Sequence, residues 1–171
     1  RNCTVTGSSL GLQFNAGAGP ILGNEAGSII NFKGYDIQEI GINISALTGS
    51  AMFGLSVSDS YLKMNDADLG SPQYAINIQS DSIIDQVNIS GVQAHWGSNA
   101  QTAGRVFGRL ATNSAGAFVS GVSFQGCGAT GISLLYSAGL TQGLTLSATD
   151  ADSIRGSDLG CDFAGAGPLP L

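Results

Sequence analysis

The sequence predicts an all-β chain in which short parallel strands stack coil upon coil into a solenoid, and three observations carry that expectation. The first is a recurring tetrapeptide of a small residue, an apolar residue, a polar residue and a second apolar residue. It reads Gly11-Leu12-Gln13-Phe14, Gly41-Ile42-Asn43-Ile44, Gly54-Leu55-Ser56-Val57, Ala75-Ile76-Asn77-Ile78, Gly121-Val122-Ser123-Phe124, Gly131-Ile132-Ser133-Leu134 and Gly143-Leu144-Thr145-Leu146, with Gln86-Val87-Asn88-Ile89 as a variant. Such alternation is a strand signal, because successive side chains on a strand point to opposite faces. The second is spacing: Ile44 to Ile78 is a step of 34 residues and Val57 to Ile89 one of 32, so one pair of strands repeats the other one coil along. The third is the near absence of apolar periodicity at i, i+3, i+4 and i+7, with Gly or Ser interrupting almost every run of ten.

Along the chain, Gly17 to Gly27 is less regular, and the tetrapeptides then follow in pairs joined by short corners. The apolar residues of each are expected to face a common axial core and the polar one to face outward. Gly at the first position allows a sharp corner. The segment 156–171 ends in Gly-Pro-Leu-Pro-Leu, which reads as an irregular C-terminal cap or linker after a β domain spanning 1–155. An antiparallel β-sandwich is the alternative, since several short strands between turn residues are its signature too, but Asn-Gly and Asp-Gly hairpin dipeptides between paired strands are missing.

The 171 residues fit one domain, 43% apolar and only 11% charged, with 26 glycines. Six basic against twelve acidic residues give a net charge of −6 and no basic run, which argues against a nucleic-acid partner or an anionic membrane surface. No apolar stretch is long enough for membrane insertion. Cys3, Cys127 and Cys161 have no CxxC-type spacing, so no zinc site or disulfide framework is suggested and buried free thiols are expected. No metal and no cofactor is implied. Without an initiating Met or a signal segment, the chain reads as a piece of a longer protein.

The segments from Ala75-Ile76-Asn77-Ile78 through Val87-Asn88-Ile89-Ser90-Gly91-Val92, and from Val122-Ser123-Phe124-Gln125-Gly126-Cys127-Gly128 through Gly131-Ile132-Ser133-Leu134, resemble coils of the right-handed parallel β-helix family. That family includes pectate-lyase-like enzymes and bacteriophage tailspikes, and the resemblance covers roughly residues 41 to 150. Low charge and small polar residues make the chain look more like a tailspike or tail-fibre domain than a secreted lyase. The resemblance implies a homotrimer on the phage virion that binds bacterial surface polysaccharide and often cleaves it. A secreted or cell-surface location is the alternative. It carries over no catalytic residue, because no motif here matches one.

Chemistry is expected on two long excursions, Ser58 to Tyr74 and Ser90 to Arg105, which follow equivalent strands of adjacent coils and so emerge side by side. They hold Tyr61, Lys63, Asp66, Asp68, His95, Trp96 and Arg105. Trp96 or Tyr61 offers a flat apolar body for stacking on a sugar ring, with Lys63 and Arg105 as further substrate contacts. Arg105 and Arg109 fall on one face by alternation and are candidates to clamp an acidic sugar, or to pair with a neighbouring coil. Asp66 and Asp68 are candidate acid and base for a depolymerase and His95 a proton shuttle. Asp66-x-Asp68 also reads as a polar turn, and Trp96 as a core or interface residue.

Gly126 to Gly131 matches G-x-G-x-x-G, but a dinucleotide site needs a helix opening there and Ile132-Ser133-Leu134 repeats the strand pattern instead. The expected function is polysaccharide binding by a tailspike-type trimer. The rivals are a lyase or hydrolase working through the loop carboxylates, and a purely structural fibre shaft.

Overall fold

Two-residue alternation organises the whole chain into strands. The computed structural model describes residues 3–16, 24–25, 27–65, 73–96, 105–130, 134–138, 141–142, 144–147, 153–156 and 161–163, and no helix occurs among them. Successive coils each run through four short strands. In order these are β1 (Cys3–Thr6), β2 (Leu10–Ala16), β3 (Asn24–Glu25) and β4 (Ser28–Ile30), then β5 (Phe32–Ile37), β6 (Ile40–Ala46), β7 (Ala51–Phe53) and β8 (Ser56–Ser58). The pattern continues through β9 (Tyr61–Met64), β10 (Gln73–Ser80), β11 (Ile83–Asp85) and β12 (Asn88–Ser90), and through β13 (Gln93–Trp96), β14 (Arg105–Thr112), β15 (Phe118–Ser120) and β16 (Ser123–Gln125). Beyond it lie β17 (Gly128–Thr130), β18 (Leu134–Ala138), β19 (Thr141–Gln142), β20 (Leu144–Ser147), β21 (Ser153–Gly156) and β22 (Cys161–Phe163).

Every strand pairs with its counterpart one coil away, always in parallel, which builds four sheets and excludes the antiparallel sandwich. Sheet A orders β1-β5-β9-β13-β17, sheet B β2-β6-β10-β14-β18-β21, sheet C β3-β7-β11-β15-β19 and sheet D β4-β8-β12-β16-β20-β22. The chain is a parallel β-solenoid. The register expected from spacing is the observed one, with Ile44 opposite Ile78 in sheet B and Val57 opposite Ile89 in sheet D. Strand pairing also runs beyond residue 155, since Gly156 pairs with Ser137 and Cys161–Phe163 with β20; residues 157–160 and 164–171 lie outside the described residues.

The core runs along the axis and is filled by stacked apolar side chains, among them Ile42, Ile44, Ile76 and Ile78 from sheet B, Val57, Ile89 and Phe124 from sheet D, and Leu62, Ala94 and Trp96 from sheet A. Phe107 and Phe124 meet across it with ring centroids 5.9 Å apart. Sheet A is the part that simple pattern reading misplaces. Tyr61-Leu62-Lys63-Met64 and Gln93-Ala94-His95-Trp96 lie inside the two expected excursions, yet they alternate outward and inward as strands do. A coil therefore has four strands rather than two strands and a long loop. What remains of the excursions, residues 66–72 and 97–104, lies outside the described residues.

Corners recur in register as well. Between sheets C and D the left-handed backbone conformation falls on Gly54, Gln86 and Gly121, with φ of 72°, 59° and 60°. These are the first positions of three tetrapeptides, and the variant Gln86 occupies a place where glycine costs least. Between sheets D and A the same conformation falls on Asn31, Asp59, Gly91 and Gly126. There the amides of Asn31, Asp59 and Gly91 donate to the carbonyls of Ser58, Ser90 and Gln125 one coil along. Gly41 begins a tetrapeptide for another reason. Its φ is ordinary, but a Cβ there would sit 2.5 Å from the Ala75 carbonyl oxygen and 2.8 Å from Leu62 Cδ1.

Candidate functional site

Two outer sheet faces carry polar residues in stacked rows, and their hydrogen bonding separates them. On sheet B the row through Gln13, Asn43, Asn77 and Arg109 is closed on itself. Asn77 Nδ2 donates to Asn43 Oδ1 at 2.8 Å, and Arg109 Nη1 donates to Asn77 Oδ1 at 2.9 Å and to Gln79 Oε1 at 3.3 Å. The Arg109 guanidinium lies 5.3 Å from the Tyr74 ring centroid, and Asn77 is left 1% exposed. In the neighbouring row Ser45 Oγ donates to Asn15 Oδ1, which also accepts from Gln13 Nε2. Side chains that satisfy one another in this way hold coils together. Arg109 thus pairs with the adjacent coil through amides and a tyrosine ring, rather than standing ready to clamp a sugar.

Sheet A is built differently. Parallel register places Lys33 opposite Tyr61 and Tyr61 opposite Gln93, while Tyr35 stands opposite Lys63 and Lys63 opposite His95. Lys33, Tyr61, Lys63 and Gln93 are exposed, and Tyr35 and His95 half-buried. The rings of Tyr35 and Tyr61 have centroids 6.0 Å apart and are inclined by 50°. An open cleft of about 420 Å³ is lined by Tyr35, Asp36, Lys63, Met64 and Asn65. Asn65 Nδ2 donates to Asp36 Oδ1, which fixes the cleft's carboxylate. Lys33, Tyr61, Tyr35 and Lys63 form a two-by-two checkerboard of cations and aromatic rings in which neighbours across strands are one strand spacing, about 4.8 Å, apart.

The expected juxtaposition of the two excursions is therefore present as paired strands, with Lys63 directly opposite His95. The structure moves one candidate away from this face. Trp96 has the inward position of β13 and is 0% exposed, so its ring cannot stack on a ligand. Its Nε1 donates to Gln73 Oε1 at 2.9 Å, and Gln73 Nε2 donates to the carbonyls of Gln38 (2.8 Å) and Asn65 (3.1 Å). One buried carboxamide thereby ties together the strand ends of neighbouring coils beneath the cleft. Arg105 opens β14 opposite Gln73, but its side chain, like the whole of Asp66 and Asp68, lies outside the described residues.

Lys33 and Tyr35 were missed as site residues because they precede the first excursion by a full coil. The signal that finds them is the 28-residue register that superposes Lys33 on Tyr61 and Tyr35 on Lys63. Strand β17 (Gly128–Thr130) lies just before Gly131, where a helix would have to open, and strand β18 (Leu134–Ala138) lies just after, so the dinucleotide reading has no support in the geometry of the described residues. Cys127 is buried and Cys3 exposed, both as free thiols, against the expectation that both are buried. Burial pushes the Cys127 thiol up from its ordinary value, and the backbone amides of Val92, Gln125 and Gly91 offset only part of that. Among the described residues no group of three or more metal-ligating side chains occurs. No protein-family model, no curated protein and no solved structure matches this chain.

Proposed function

We propose that this β-solenoid is a tailspike-type module that binds bacterial surface polysaccharide on the outer face of sheet A and assembles as a homotrimer. The observation that carries the binding reading is the grouping of Tyr35 and Tyr61 with Lys33, Lys63 and His95 on one outward sheet face, where Tyr35 and Lys63 also line an open cleft. Tilted, partly exposed tyrosine rings present apolar faces to sugar C–H groups and a hydroxyl to sugar oxygens. A rigid sheet holds those rings without an ordering cost on binding. The strand repeat of about 4.8 Å is comparable to one pyranose along an extended glycan. The tailspike and trimer parts of the reading rest on the resemblance of the coils. The reading is one of binding; no acid and base are assigned to cleavage, since Asp66 and Asp68 lie outside the described residues.

A glycan array followed by calorimetry tests the proposal. A polysaccharide should bind the wild-type chain and lose about tenfold in affinity on Tyr61→Ala, while Phe118→Ala on sheet C leaves it unchanged. Equal loss with both substitutions, or none with either, places binding elsewhere. Light scattering should give three times the chain mass in solution, and a monomer would remove the trimer from the reading.

A further inference from the structure

We infer that the polysaccharide taken by sheet A is one whose units are joined by phosphodiester groups, an inference that rests on the binding reading above. Lys33 and Lys63 are the only lysines in the chain and His95 is its only histidine, and register brings all three to one face. The chain as a whole carries −6, whereas this face sets two ammonium groups against the single carboxylate of Asp36 in the cleft and so locally inverts the protein's charge. Neither lysine forms an ion pair among the described residues, whereas Arg109 on sheet B is held by Asn77, Gln79 and Tyr74. Exposed ammonium groups on a rigid strand are donors awaiting an external anion.

The arrangement and the chemistry of the donors narrow the ligand. Between β5 and β9 cation and ring alternate, Lys33 beside Tyr61 in one row and Tyr35 beside Lys63 in the next, and β13 extends the rows with Gln93 and His95. The two lysines are diagonal neighbours, with backbones about 7–8 Å apart, and a tyrosine stands on either side of the line between them. A chain in which anion and ring alternate within the backbone itself meets this pattern. Phosphodiester-linked sugars have that alternation, whereas a uronic acid carries its carboxylate to one side of the backbone. The donors agree. A planar carboxylate is matched by the arginine fork, while a tetrahedral phosphate accepts point charges from several directions, and these rows hold lysines and no arginine.

Titration of the full chain with three polymers tests the inference: a poly(N-acetylglucosamine 1-phosphate), polygalacturonate and dextran. The phosphodiester polymer should bind at least tenfold more tightly than the other two, with an affinity that falls as salt rises. The Lys33→Gln/Lys63→Gln double variant, whose side chains are exposed and free to change without unfolding, should lose about tenfold or more for that polymer. Polygalacturonate or dextran binding as tightly as the phosphodiester polymer, or a double variant of unchanged affinity, overturns the linkage assignment and leaves polysaccharide binding standing. Silence toward all three together with a silent glycan array overturns the binding reading itself.

Discussion

Gln86→Gly should make this protein more stable, although it deletes a side chain and adds freedom to the unfolded chain. Gln86 holds φ of 59° in the corner between sheets C and D, in register with Gly54 one coil before and Gly121 one coil after. Its amide donates to the Ser120 carbonyl at 3.2 Å, just as Gly54 donates to Asp85, so the corner's geometry is set by the stack and not by the residue. A side chain in the left-handed region costs about 1–2 kcal/mol, and glycine's greater freedom in the unfolded state takes back about 0.4–1 kcal/mol. Gln86 is exposed, so little packing is lost. The net is a gain of roughly 0.5–1 kcal/mol, which for a chain of this length raises Tm by about 1–4 °C. Urea unfolding followed by circular dichroism reads the midpoint, and the slope should not change. A lowered midpoint would refute the idea that one backbone geometry is imposed on the whole row. Gly121→Ala is the converse: its Cβ would lie 2.8 Å from Asp85 Oδ1 and 3.1 Å from the Gln86 amide nitrogen, in a backbone at φ 60°. It disturbs the Ser120 to Asp85 hydrogen bond as well and should cost roughly 2–3 kcal/mol.

Asn77→Ala removes the link between Asn43 and Arg109 and leaves both short of a buried partner, so it should destabilise by about 2–4 kcal/mol in the same assay while polysaccharide binding per folded molecule is kept. Trp96→Phe keeps a ring in the core but strands Gln73 Oε1; about 1–3 kcal/mol should be lost with no change in glycan affinity, and a loss of affinity alone would return Trp96 to the binding site. Cys127 links stability to pH. Its folded thiol titrates above the ordinary value, so the stability it contributes is complete below that value and is lost as pH rises through the raised one. The alkaline fall in stability should therefore be smaller for Cys127→Ala than for wild type. In native thiol labelling read by peptide mass spectrometry, Cys3 should react fast and Cys127 only as fast as the coil opens.

The repeat was legible because the long strands of sheet B and the core strands of sheet D carry a large apolar residue at the same phase in successive coils. Phe14, Ile44 and Ile78 stack in one sheet, and Val57, Ile89, Phe124 and Leu146 in another. Sheet C was not legible, since Ala51–Phe53, Ile83–Asp85 and Phe118–Ser120 are three residues each and share no composition. Sheet A was hidden differently. Its outward positions carry Lys, Tyr, His and Gln, residue types that suggest loop chemistry, while its inward positions carry Leu, Met, Ala and Trp. The same pattern explains the division within the candidate site. Tyr61, Lys63 and His95 have one strand parity and face out, while Trp96, one residue beyond His95, has the other and faces the core. Parity becomes visible only when 61–64 and 93–96 are recognised as strands, and Lys33 and Tyr35 join the face only through the register between coils.

Because the chain has one histidine and one tryptophan, proton NMR gives one imidazole ring and one indole N–H to follow during a polysaccharide titration. His95 stands on the sheet A face and the Trp96 indole is buried against Gln73. The account predicts a saturable shift of the His95 ring signals with the Trp96 indole N–H unmoved, the two residues being neighbours in sequence. Polysaccharide binding that leaves the His95 signals in place would contradict it.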